Sequence, residues 1–146
     1  VKQQEIQERN KQISLMLGVF KIEEWFSLVN TPVYYKGTCY NLYHKSKTWS
    51  CGSNDKKYVE KKLLSNLYFD SDLNWLAEAK KFICSLEKVD EFDTLYDSMA
   101  KGYHCRITPA YKNSFETLYT DVFEEEIQAV FTIVSDFAKL YNRKEL

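Results

Sequence analysis

The 146-residue chain has no excess of either charge: Lys and Arg number 20 against 21 Asp and Glu, a formal net of −1. No global field draws a polyanion or an anionic bilayer, which argues against a generic DNA-coating role and leaves only a local basic patch open. No apolar run approaches the eighteen or so residues of a membrane span, so no membrane contact is expected. The four cysteines, Cys39, Cys51, Cys84 and Cys105, include no C-x-x-C pair, which weakens a structural zinc site. With no signal-peptide pattern either, reduced and largely buried thiols are expected rather than disulfides. There is no P-loop, no G-x-G-x-x-G and no G-x-S-x-G, so neither an enzyme nor a bound cofactor is expected. No internal repeat and no low-complexity tract is visible.

What the chain does contain is aromatic surface: 16% of residues, with eleven Tyr and nine Phe. Hydrophobic residues make up 45% and charged residues 28%, ordinary values for a globular chain and enough for one domain over 1–146. Near the start, Ile6, Ile13, Met16 and Leu17 recur at helical spacing, and Gly18 marks the end of a short helix. The stretch 19–32 reads as strand or irregular chain. "VYYKGTCYNLY" has sheet lettering, with a tight reversal expected at Lys36-Gly37. Gly52-Ser53-Asn54-Asp55 is the strongest loop signal. In "FDSDLNWL", Asp70, Ser71 and Asp72 offer acceptors for the free amides of a first helical turn. Behind them Leu73, Leu76, Ala79, Ile83 and Leu86 predict a helix from about Ser71 to Lys88. Residues 89–102 carry Phe92, Leu95 and Met99 at spacing that suits a helical turn. "YHCRITP" and "YKNSFETLY" flank Pro109-Ala110 as a hairpin. Ile127, Val130, Phe131, Val134, Phe137, Ala138 and Tyr141 form the stripe of a final helix. The fold class is α+β: two long amphipathic helices on a small, mainly antiparallel sheet, plus the short N-terminal helix.

Four chemistries merit weighing. Cys39, His44 and Cys51, with His104 and Cys105, are candidates for a thiolate–imidazole metal site. Cys105 beside His104 suggests a thiol nucleophile, but strand neighbours point to opposite faces. Asp70 and Asp72 could position a metal-bound phosphate, though acids at a helix start are ordinarily caps. The fourth is a ligand site without catalysis. Tyr34, Tyr35, Tyr40, Tyr43 and Trp49 stand near Lys36, His44, Lys45 and Lys47, and rings stack on nucleobases while lysines hold phosphates. The same lettering also describes a Tyr-rich hairpin whose rings pack on the core. Given the neutral net charge, the cluster suits a small nucleotide better than a long acidic polymer.

Three blocks in order along the chain carry a resemblance. Asn10, Ile13, Leu17 and Gly18 match an N-x-x-I-x-x-x-M/L-G helix. Ser71, Asn74, Trp75 and Leu76 echo a hydrophobic-H-S-S-W-D-W-L-M helix start. "EEIQAVFTIVSDFAKLYNRK" parallels a "KIEAVYQAVVEFIKWYNEN" helix. Together they resemble small proteins of Bacteroidota phages and prophages, bordering on the phage ABA sandwich domain, a name that describes layers and no chemistry. Asp70 stands where those relatives have His and Leu73 where they have the first Trp, so a contact made by that pair is not carried over. The resemblance implies a phage origin and no catalytic residues. The expectation is a non-enzymatic counter-defence protein of the host cell cytoplasm that sequesters a small nucleotide-type immune signal. The alternatives are an inhibitor of a host defence enzyme and a nucleic-acid-associated replication factor; homo-oligomerisation is left open.

Overall fold

The computed structural model describes residues 2–26, 33–43, 50–111 and 114–146. The chain divides into two compact units, Val1–Leu67 and Tyr68–Leu146. Among the described residues each unit runs helix, three strands, helix. The first has α1 (Gln3–Met16), β1 (Phe20–Phe26), β2 (Val33–Cys39), β3 (Ser50–Ser53) and α2 (Lys56–Leu64). The second has α3 (Leu73–Cys84), β4 (Val89–Asp97), β5 (Gly102–Pro109), β6 (Leu118–Tyr119) and α4 (Glu126–Asn142). Each sheet is an antiparallel meander, in the order β1-β2-β3 and β4-β5-β6. A shared element order without sequence repetition means that the two halves reach one architecture with different side chains.

In the first unit Gly18, at φ 81°, turns the chain out of α1 while its amide and that of Val19 bond back to Leu15 and Ser14, an ending that glycine reaches without strain. Phe20 and Cys39 pair at one end of β1 and β2 and are buried. α2 lies on that same side of the sheet through Val59 and Leu63, both fully buried. The close approach depends on Gly37: a Cβ there would sit 2.3 Å from Leu63 Cδ1 and 2.9 Å from Val59 Cγ1. In the second unit α4 packs on its sheet with Ile133, Val134, Phe137 and Ala138 buried against Cys105 and Ile107. α3 joins it through Phe82 and Tyr141, whose rings meet edge-on at 5.6 Å.

The α+β class therefore holds, but one sheet under two long helices becomes two sheets and four helices among the described residues, 14, 9, 12 and 17 residues long. Lys36-Gly37 makes no reversal; it lies inside β2, paired with Glu23 and Ile22. The expected helical turn at 89–102 is strand β4 and its turn, because Phe92 and Thr94 alternate onto the buried side opposite Ile107 and Cys105. α3 stops at Cys84, short of Lys88. α2, unforeseen behind a polar loop signal, is nucleated by Asp55, whose carboxylate accepts from the Lys57 and Tyr58 amides. Among the described residues no helix is long and apolar enough to cross a membrane.

Candidate functional site

Successive side chains of a strand alternate between faces, so β2 separates the tyrosines that stand together in sequence. Tyr34 and Lys36 point away from α2, whereas Tyr35 shares the side of Gly37 and Cys39 and is half-buried. Tyr40 is 2% exposed and belongs to the core. Tyr43 follows β2 in a turn and is 71% exposed. His44, Lys45, Lys47 and Trp49 lie outside the described residues. Of the nine sequence candidates, Tyr34 and Lys36 are thus the pair held on one face of β2.

The register adds partners to them. Trp25 of β1 lies opposite Tyr34, their ring centroids 5.8 Å apart and tilted by 51°, and Trp25 is 58% exposed. One row along, Glu23 faces Lys36, and Gly52 completes the row on β3. Among the described residues, its chain neighbours apart, no atom lies within 4 Å of where a Gly52 Cβ would stand, so the row has open space beside Lys36. The next row is Lys21, Thr38 and Ser50. Rows two residues apart on a strand are separated by about 7 Å. The open face is therefore ordered: an aromatic step, a step that sets Lys36 opposite Glu23 beside a gap, then a step carrying Lys21. The sequence pattern alone does not single out Trp25 or Lys21; their relevance comes from cross-strand pairing.

The other chemistries fare differently. His104 and Cys105 lie on opposite faces of β5, Cys105 fully buried opposite Thr94. Burial raises the Cys105 thiol pKa, with the Thr94 contact at 3.5 Å acting against it. Cys39 is buried as well, and burial pushes its pKa up to about 12. Both thiols are held as neutral packing groups, and a neutral thiol is a poor nucleophile. Asp72 is the N-cap of α3, accepting from the Asn74 amide at 2.8 Å. Among the described residues no group of three His, Cys, Asp or Glu side chains is arranged to hold a metal ion.

The open face of the second sheet is different in kind. There Arg106 donates to Asp93 at 2.7 Å and lies 4.0 Å from Glu91, with Tyr119 beside it in register. The Asp93 hydrogen bond and charge raise the Arg106 pKa further. These charges are mutually engaged.

The whole-chain balance conceals a division between the units. Up to Leu67 there are eleven Lys and Arg against six Asp and Glu, a net of +5; from Tyr68 there are nine against fifteen, a net of −6. The near-neutral sum is a cancellation, and the ordered aromatic–cationic face belongs to the basic unit. Compared with known proteins, the chain matches no family model, no curated protein and no solved structure.

Proposed function

We propose that the chain is a non-enzymatic nucleotide-binding protein whose site is the open face of the β1–β2–β3 sheet. The observation that carries this reading is the Trp25–Tyr34 pair standing one row from Lys36 on the same solvent-facing surface. A base stacks on the Trp25–Tyr34 step, the sugar crosses the gap beside Gly52, and Lys36 meets the first phosphate. Lys21 is the cation for a further phosphate one row on. The separation of about 7 Å between rows suits the reach of a ribose between base and phosphate. The net of +5 on this unit favours an anionic ligand. With the resemblance to phage proteins, this supports a counter-defence role in which a nucleotide-type host signal is held and not converted.

Titration calorimetry with adenine, guanine and uracil nucleotides tests the site. Stacking is worth about 1–3 kcal/mol per base, so Trp25→Ala should weaken binding roughly tenfold or more while the melting temperature stays put. Bound nucleotide should return intact on denaturation, as mass spectrometry would read. Absence of millimolar or tighter binding to any of these nucleotides sinks the reading, as does unchanged affinity in Trp25→Ala.

A second reading, inhibition of a host defence enzyme by direct docking, rests on a different feature. The β4–β5 turn is fixed by the Asp97 carboxylate, which accepts from the Met99 and Ala100 amides and has its pKa lowered by those bonds. The turn holds out Met99, 93% exposed, beside Tyr96. Met99→Glu should then abolish co-purification of a host enzyme while leaving nucleotide affinity intact.

A further inference from the structure

The outward face of α2 has a composition that the fold does not require. Val59 and Leu63 turn to the core, and Glu60 is taken up by Lys11 of α1 at 3.2 Å. The opposite arc of this nine-residue helix carries Lys57, Tyr58, Lys61 and Lys62, all exposed, with Lys56 at its start. Among the described residues none of these four lysines has an ion-pair partner. The arrangement works against the helix itself. Lys57 and Lys61 are like charges four residues apart, which repel, and Lys56 and Lys57 sit in the first turn, where the helix dipole favours acids. Lys61 and Lys62 suit the C-terminal end of the dipole, whereas the first-turn lysines and the Lys57–Lys61 repulsion are offset by the Asp55 cap alone, which points to a partner that supplies negative charge.

We propose that this face is a phosphate-backbone contact for nucleic acid, separate from the sheet face, which lies on the other side of the β1–β2–β3 layer. Three observations fix the class of partner. The unit is basic by +5, so a polyanion is drawn to it. The outward arc has no exposed aliphatic side chain and Tyr58 is its one exposed ring, so the helix offers a bilayer little apolar surface to insert. The charges are all lysine, flexible point charges that suit sequence-independent phosphate contacts better than planar, bidentate recognition of one carboxylate. The acidic unit limits the strength of such a contact, which therefore operates at low salt or on a ligand held by other means as well.

Fluorescence anisotropy of the full chain with a labelled 20-mer, single-stranded and duplex, between 50 and 200 mM NaCl, tests this. Three phosphates neutralised predict a slope of log K against log salt of roughly −2 to −3. The Lys57→Gln/Lys61→Gln/Lys62→Gln variant should lose most of that slope and bind at least tenfold more weakly at 50 mM. Lys61→Gln alone should reduce the slope by about 1, which keeps the test available if the triple variant folds poorly. Lys81→Gln, on α3 of the other unit, should leave it unchanged. No binding at 50 mM, or a slope indifferent to the triple substitution, overturns the proposal. Binding to phosphatidylserine vesicles or to an acidic peptide in place of either oligonucleotide overturns it too.

Discussion

Replacing Gly37 with alanine isolates the contact on which the first unit is built. The new methyl would start 2.3 Å from Leu63 Cδ1 and 2.9 Å from Val59 Cγ1, well inside the 3.5–4.0 Å or so at which carbon atoms attract. Both neighbours are fully buried, so neither moves without displacing α2 from the sheet. Overpacking of this kind costs roughly 1–3 kcal/mol, while the loss of glycine's freedom in the unfolded chain returns about 0.4–1. The net expectation is a destabilisation of about 1–2 kcal/mol, which lowers a urea midpoint by roughly 0.5–1 M for a small protein. Gly52→Ala, in the neighbouring strand, is the internal control: no described residue beyond its chain neighbours lies within 4 Å of its Cβ position and its φ is not positive, so it should be neutral or slightly stabilising. Trimming the obstacle should rescue the first variant. Gly37→Ala/Leu63→Ala should lose at least about 1 kcal/mol less than the sum of its parts, a coupling typical of residues in contact. Equal midpoints for the two glycine variants would refute the packing argument. Strict additivity of the double variant would instead attribute the glycine's role to its backbone.

Phe131→Ala in α4, at a position 8% exposed, should cost about 3–5 kcal/mol in chemical denaturation. Asp72→Ala should cost about 0.5–2 kcal/mol through loss of the α3 cap, and Ser71→Ala, which is not the cap, distinctly less. Ellman's reagent should titrate the exposed Cys84 in the native protein and reach Cys39 and Cys105 only after denaturation. Between the ordinary thiol value of 9.0 and about 12, the unfolded chain gives up the Cys39 proton while the folded chain keeps it. The native state then binds more protons, so stability should fall as pH rises through that window, and Cys39→Ala should flatten the fall.

Which parts of this protein were legible in one dimension follows from the range of the forces involved. The last helix was readable because Val130, Phe131, Val134 and Phe137 repeat at the helical period, and a stripe of that length has no other periodic reading. The end of α1 at Gly18 and the cap at Asp72 were readable because each depends on atoms within a few residues. The strand at 89–97 was not, since Phe92 and Leu95 are three apart in either conformation, and only pairing with Ile107 and His104 decides between them. α2 was hidden for the same reason: its lysines and tyrosine look like loop until Val59 and Leu63 find Gly37 across the sheet. The sequence by itself determined the α+β class and the presence of an aromatic–basic segment. Tertiary structure decided how that segment is used. Strand alternation sent Tyr34 and Tyr35 to opposite faces, took Tyr40 into the core, and brought Trp25 beside Tyr34 from a strand nine residues away. The boundary after Leu67 likewise turned a neutral total into a basic and an acidic half. Composition sums over the chain, whereas charge and stacking act between neighbours in space, and only the fold says which residues those are.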